Sequence, residues 1–443
     1  MTGVPIMIIQ LLLSLSFLVI IHECGHFFPA KWFKTRVEKF YLFFDPWFSI
    51  FRTKKGDTEY GIGWLPLGGY VKISGMVDES FDTEKLKEEP KPWEFRSKPA
   101  WQRLIIMLGG VTVNFIAGFL LFSLILGIWG EQYLPNNSVS EGIVTDSIAR
   151  EMGLRDGDKI LKVGEKEFTR FEPMVLRKQI GINNASTITV IRDGQQVSIP
   201  VAERWASDLS GNKFKDFDLI GPRALATIGS VEPDAPAQKA GILPGDQLIS
   251  VNDQPAKYWH EYRKIQRPTK SDSMIIKVSR NQQEQSFPVL SRADGTIGIG
   301  VENNLRIDTT KYGFFEAIPA GVTKGMIFMG DYLKSLGNIF KGKTKASESL
   351  GGFASITKLF PKVWDWEQFI RITAVLSLIL AVMNLLPIPG LDGGHVIFLL
   401  FEMVTGKKLS DKFVEKATMV GFFLLIALMV YANGLDVFRI FKK

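Results

Sequence analysis

A chain of 443 residues is long enough for several domains, and its one cysteine, Cys24, excludes an internal disulfide framework. The net charge of +7 comes without a basic motif of the kind that grips nucleic acid, so no nucleic-acid partner is expected. The apolar residues, 46% of the total, are bunched into four stretches free of Asp, Glu, Lys, Arg and His, which excludes an ordinary water-soluble protein.

Those stretches are Met1–Ile21, Leu104–Gly130, Ile372–Leu391 and Ala417–Leu435. Each is near or above the ~18–20 residues that cross ~30 Å of hydrocarbon as a helix. No Lys or Arg precedes Lys31, and Pro29-Ala30 follow a charged cluster, so the first run reads as a retained span and not a cleaved signal peptide. It runs into "LVIIHECGHFFPAKW", residues 18–32, which holds His22, Glu23 and His26. Ionisable groups in a span are costly unless paired or bound, and mark function by default. His22 and His26 are four apart, share a helix face and can grip a metal together, with Glu23 placed to serve a metal-bound water as general base. Cys24 points off that face and reads as packing. Two histidines leave a catalytic zinc site one protein ligand short, so another span must supply it.

The loop 31–103 carries Lys31, Lys34, Arg36 and Lys39 on one flank and Arg96, Lys98 and Arg103 on the other. Lys407, Lys408 and Lys412 lie between the third and fourth spans. The positive-inside rule makes both loops cytoplasmic and both termini external, with Arg439, Lys442 and Lys443 arguing weakly the other way. The segment 131–371 is then external.

Within it, "SIAREMGLRDGDKILKVGEKEF" at 147–168 answers "APAQKAGILPGDQLISVNDQPA" at 235–256. Gly153, Gly157, Asp158 and Val163 match Gly241, Gly245, Asp246 and Val251 at an offset of 88 residues. Each copy predicts a short helix, a glycine turn and a strand. The pattern A-G-(I/L)-x-x-G-D-x-I-x-x-V resembles PDZ domains; the second copy fits throughout and the first has Met152 in place of the alanine. Two such domains are expected, over 131–222 and 223–309, of a type that takes an extended segment as an added strand or serves structure alone. Residues 310–371 then carry apolar residues at roughly helical spacing among scattered charges, which predicts amphipathic helices lying in the outer interface.

The third span ends in "AVMNLLPIPGLDGGHVIF", residues 381–398. Asp392 is its sole acid, amid Pro387, Pro389, Gly390, Gly393 and Gly394, which break a helix and free backbone groups. A membrane tolerates that only where the groups are buried in protein or face a water-filled site. A broken helix presenting one carboxylate suits the third ligand. His395 is the competing candidate.

H-E-x-x-H in the first span with N-x-x-P-x-P-x-L-D-G in the third resembles the site-2 protease family of intramembrane zinc metalloproteases, and the tandem PDZ-like pair resembles its RseP-type bacterial branch. The fold implied is a polytopic α-helical membrane protein: four transmembrane helices, a membrane-associated β-hairpin and two PDZ-like α+β domains. Its expected layout is span one over 1–30, a loop with the hairpin over 31–103, span two over 104–130, span three over 372–401, and a loop with span four over 402–443. The resemblance implies Zn²⁺ on His22, His26 and Asp392, Glu23 as base, and Asn384 near the reacting carbonyl, where the alternative is an interhelical hydrogen bond. The hairpin is expected at "EYGIGWLPLGGYVKISG", residues 59–75, two runs broken by Pro66 and Gly68-Gly69. Gly68, Gly69, Tyr70, Pro387 and Pro389 are the expected substrate-positioning residues. "LGGVTVNFIAGF", residues 108–119, is similar to the family's second-span pattern; Gly110, Asn114 and Gly118 read as packing scaffold.

The partners implied are the lipid bilayer and a single-pass membrane protein of the anti-sigma-factor type, trimmed first by an upstream site-1 protease, with signal-peptide remnants as a second class. The location implied is a bacterial inner membrane with the PDZ-like pair periplasmic. Tethered after span two and before span three, the pair is expected over the outer mouth of the active site as a size filter, since neither copy has a strongly basic carboxylate-binding loop; C-terminus binding is the alternative. The rival to an enzyme is a membrane scaffold that binds tails, which has no use for Glu23.

Overall fold

The computed structural model describes residues 3–76, 89–210, 218–266, 273–302, 305–343 and 345–441. Residues 77–88 of the first loop, and Lys442 and Lys443 of the topology argument, lie outside those residues. The chain divides into two compact units, one of 1–130, 311–333 and 350–443, the other of 131–310 and 334–349.

Helix α1 spans Val4–Trp32 and buries Met7, Leu11, Ser14, Leu18, Gly25, His26 and Ala30, one stripe at three- and four-residue spacing. The apolar run ends at Ile21, but the helix carries on for three further turns. At about 1.5 Å per residue it reaches roughly 43 Å, so the two histidines sit within one continuous span and not in a loop at its end.

Strands β1, Val37–Lys55, and β2, Thr58–Ile73, follow as an antiparallel pair. The hairpin is larger than the expected 59–75, and its turn lies at Gly56-Asp57. Lys39–Leu42 pairs with Glu59–Ile62 and also with Gly69–Lys72, while Ser49–Lys55 pairs with Thr58–Gly63. The first half of β1 is therefore flanked by the two halves of β2. Pro66 and Gly68, the latter with φ of 150°, bend β2 mid-strand and do not form the hairpin turn. Glycine is required where the ribbon folds: a Cβ on Gly63 would lie 2.1 Å from the Phe44 carbonyl oxygen.

Helix α2, Ala100–Ile128, crosses α1 at glycines. A Cβ on Gly109 would stand 1.8 Å from the Gly25 carbonyl oxygen, so the two backbones are in direct contact.

The second unit opens with β3, Glu131–Tyr133. Its first lobe holds β4 (Ile143–Thr145), α3 (Ser147–Glu151), β5 (Lys159–Val163), β6 (Lys166–Glu167), a π-helical turn at Arg177–Ile182, β7 (Thr187–Arg192), β8 (Gln195–Pro200), α4 (Arg204–Ser210) and β9 (Ile220–Pro222). The second holds β10 (Ile228–Val231), α5 (Pro236–Ala240), β11 (Gln247–Val251), β12 (Gln254–Pro255), α6 (Trp259–Gln266), β13 (Ser273–Arg280), β14 (Gln283–Leu290) and β15 (Ile299–Val301). Sheet orders β6-β5-β7-β8 and β12-β11-β13-β14 are equivalent, and in each lobe the first strand pairs with the last, β4 with β9 and β10 with β15. Alternating residues close separate cores, Ile160, Ile188 and Val190 in one and Leu248, Met274, Ile276 and Val278 in the other. The sequence repeat is thus a repeat of structure. Finally β16, Asp308–Thr310, pairs with β3, so the segment 131–310 begins and ends in adjacent strands, and the chain returns to this unit at 334–349.

Helices α7 (Phe314–Phe340), α8 (Ala346–Ser349) and α9 (Phe353–Thr357) occupy the expected amphipathic region. In the first unit, Gly321 of α7 packs against Ser123 of α2, and Ser123 Oγ donates to the Ile318 carbonyl at 3.2 Å. Phe314, Phe315, Met326 and Ile327 are exposed.

Helix α10, Trp366–Leu385, is capped by Asp365, whose carboxylate accepts from Gln368 N at 3.0 Å. The third span ends there. Residues 372–401 are not one helix: a turn at 386–391 separates α10 from α11, Asp392–Thr405. Helix α12, Asp411–Phe441, completes the fold. Among the described residues, α1, α2, α10 and α12 are long and apolar enough to cross a bilayer, and the chain is a polytopic membrane protein with a β-rich inserted unit.

Candidate metal centre

The three expected ligands meet in the first unit. One turn of α1 separates His22 from His26, and their rings lie edge to face with centroids 4.9 Å apart. Pro387, Pro389 and Gly390 (φ 96°) end α10 and turn the chain so that Asp392 opens α11. Its Oδ2 lies 3.4 Å from His22 Nε2 and 3.3 Å from His26 Nε2. The two Nε2 atoms are 3.3 Å apart. Ligands of a tetrahedral zinc at bonds of about 2.0–2.1 Å sit about 3.4 Å from one another, so this triangle has the edge length a zinc ion needs. Asp392 Oδ2 is buried with no hydrogen bond to satisfy it, a costly state that a cation relieves. Among the described residues this is the one group of three or more His, Cys, Asp or Glu side chains close enough to share a metal.

Helix α2 supports both imidazoles. His26 Nδ1 lies 2.8 Å from the Ile106 carbonyl oxygen, and His22 Nδ1 lies 3.2 Å from Asn114 Nδ2. Gly110 lies against both rings: a Cβ there would come within 2.4 Å of His26 Nε2 and 2.6 Å of His22 Cε1. Asn114 is the residue that the scaffold reading undervalued. Its spacing from Gly110 and Gly118 fixed its face on α2, but only the fold reveals that a histidine stands opposite.

Asn384, in the last turn of α10, brings Nδ2 to 3.4 Å from His22 Nε2 and so joins the edge of the triangle. Glu23 follows His22 on α1 and is half-buried. Cys24 is half-buried and outside the ligand group, as its helical direction predicts. His395 stands outside it too, next to Phe398 and lining a cavity of about 70 Å³ with Phe95, Arg103 and Glu402.

The proposed positioning residues divide. Gly69 brings β2 against α1, where a Cβ would meet Val19 Cγ1 at 2.6 Å, one turn before His22. Tyr70 stacks on Tyr41 and Phe44 and donates its hydroxyl to Asp45 Oδ1 at 2.8 Å, which engages it within the hairpin. Pro387 is exposed, whereas the Pro389 carbonyl abuts Gly421 of α12 so closely that no Cβ fits there.

Comparison with known proteins decides the family. The profile described as Peptidase family M50 matches residues 10–428. The chain belongs to peptidase family M50. Its relatives include a putative zinc metalloprotease of Thermotoga maritima, 28% identical over 98% of this chain and 99% of that one. They also include the regulator of sigma-E protease RseP of Escherichia coli, 29% identical over 98% and 97%, and a putative zinc metalloprotease of Borreliella burgdorferi, 29% identical over 96% of each. This M50 peptidase is a zinc metalloprotease of the site-2 type, and its four spans make it an intramembrane one.

Proposed function

We propose that His22, His26 and Asp392 hold the zinc, and that the peptidase hydrolyses a peptide bond in the transmembrane segment of a single-pass protein. The observation that carries this is the triangle of Nε2, Nε2 and Oδ2 with edges of 3.3–3.4 Å. A zinc ion there supplies a Lewis acid and an acidified water. Glu23 takes a proton from the attacking water at a carboxylate oxygen and delivers it to the departing amide nitrogen. Asn384 donates an Nδ2 hydrogen to the scissile carbonyl oxygen as it gains charge.

A helical substrate hides its peptide bonds, so a stretch of it must become extended. The half of β2 around Gly69–Ile73 pairs with β1 along one edge, and its other edge, which no strand among the described residues pairs, accepts a substrate strand. Gly69 keeps that edge close to α1, Gly68 turns the strand beside the Phe44 ring, and Tyr70 braces it from within the hairpin. Pro387 faces outward on the α10–α11 turn, where a substrate passes, and Pro389 holds the turn itself.

The names of the relatives support a role in regulated proteolysis. The substrate is then an anti-sigma-factor type of protein already shortened by an upstream site-1 protease, with signal-peptide remnants as a second class. The basic residues at Lys31–Lys39 and Lys407–Lys412 orient the spans with those loops in the cytoplasm. On this reading the enzyme lies in the bacterial inner membrane with the two lobes, read as a PDZ pair, in the periplasm. The lobes act as a size filter.

Asp392→Ala tests the metal assignment, because two histidines make an incomplete site. Zinc per purified chain, measured by elemental analysis, should fall well below that of the unmodified protein. Unchanged zinc would move the third ligand elsewhere, with His395 next in order.

A further inference from the structure

Asn114 is fully buried and its amide faces His22 Nδ1 at 3.2 Å, on the side of the ring opposite the Nε2 atom that joins the triangle. Its Oδ1 is buried with no hydrogen-bond partner. A ring nitrogen that ligates a metal leaves the other nitrogen carrying hydrogen, so Nδ1 of a metal-ligating His22 is a donor in need of an acceptor. His26 has one in the Ile106 carbonyl at 2.8 Å. His22 has Asn114. Oxygen and nitrogen of an amide exchange places by a half-turn about its terminal bond, and which way it points follows from the hydrogen-bond network.

We infer that Asn114 is a positioning residue for the metal: with its amide turned so that Oδ1 accepts from His22 Nδ1–H, it fixes the tautomer and the ring plane that aim Nε2 at the zinc. One rotation satisfies the orphaned Oδ1 and gives the Nδ1 hydrogen an acceptor beside the Gly110 carbonyl, whereas the opposite orientation turns the NH₂ group toward that hydrogen. The backbone there is fixed as well. Ser377 Oγ of α10 donates to the Asn114 carbonyl at 2.7 Å, and Gly118, one turn on, packs against Leu378. Helix α10 carries Asn384 two turns beyond Ser377, so α2 holds both the histidine ring and the helix that bears the other amide of the site. The inference rests on the zinc reading above, and it gives α2 a part in metal binding through a side chain that touches no metal itself.

The test is zinc affinity in the full-length purified protein, by competition with a chromophoric chelator, together with the absorption of the cobalt-substituted site. Asn114→Leu keeps the volume and removes the acceptor, and its affinity should drop about 10- to 100-fold, the range for losing such a partner. Asn114→Asp keeps an acceptor oxygen at the same reach and should bind zinc at least as tightly as the unmodified chain, with its cobalt spectrum preserved. If Asn114→Leu does not purify folded, Asn114→Ala, smaller and a stronger helix former, carries the same expectation. Unchanged affinity in the Leu or Ala variant overturns the inference, as does an equal loss in Asn114→Asp, which would mean that the NH₂ group is what matters. Asp392→Ala is measured alongside. Full zinc in that variant defeats the metal assignment itself; loss there with no effect at Asn114 defeats the positioning role alone.

Discussion

A Cβ on Gly110 would stand 2.4 Å from His26 Nε2 and 2.8 Å from His22 Nδ1, and the backbone carrying it is pinned by the contact of Gly109 with Gly25. Neither the helix nor the rings have slack, so Gly110→Ala should displace an imidazole and lower zinc content without removing any ligand. Elemental analysis of the purified variant checks this, and zinc at the unmodified level would show that the pocket yields. His22, Glu23 and His26 were legible in the sequence because helical spacing alone puts the two imidazoles on one face. Asp392 was legible as the only acid in a span broken by prolines and glycines. Asn114 was not, because spacing gives the face of its own helix and says nothing of what the neighbouring helix places opposite. The same limit applied to Tyr70, whose engagement with Asp45 depends on how the ribbon folds.

Between elements, the repeat at an offset of 88 residues extends further than the glycine motif. Arg192 grips Asp158 through Nε and Nη2, both at 2.8 Å, and donates to the Gly153 carbonyl at 2.9 Å. Arg280 grips Asp246 at 2.7 and 2.6 Å and donates to the Gly241 carbonyl at 2.8 Å. In each lobe a nearly inaccessible carboxylate thus ties the glycine turn to the β7 or β13 strand. Leaving a buried charge without its partner costs about 3 kcal/mol or more, so Arg192→Met should weaken the first lobe by that order. In hydrogen exchange read by mass spectrometry, amides of β5, β7 and β8 should exchange about 100-fold faster while those of the second lobe keep their rates. Equal acceleration in both lobes, or none, would contradict the ion pair as the local tie. Arginines that far from the motif gave no sign of their partner in one sequence. The hairpin was misjudged for a related reason: Pro66 and Gly68-Gly69 look like a turn, and their use as a mid-strand bend depends on β1 pairing with β2 twice.

For the molecule as a whole, composition was enough to reveal four spans, because a bilayer sets a length that apolar runs must meet. Composition could not reveal that the third span stops at Leu385 or that the segment 131–310 both begins and ends in one strand pair, β3 with β16. That pairing brings the ends of 131–309 together, so the stretch can be removed and the chain rejoined, although the C-terminal part of α7 loses the bonds of Lys334 and Asn338 to residues 181–183. If the lobes filter by size, the deleted enzyme should cleave substrates that still carry their large outer domains, which the full chain refuses; loss of cleavage of trimmed substrates with continued refusal of untrimmed ones would replace filtering by recognition. Underneath any such regulation is the claim that a zinc on two histidines and an aspartate hydrolyses peptide with the carboxylate beside the first histidine as base. The most direct measurement is made on Glu23→Gln, which keeps the volume and removes the base. Purified from the membrane, it should hold zinc near one per chain while cleavage of a co-expressed single-pass substrate disappears; full cleavage by that variant would contradict the account.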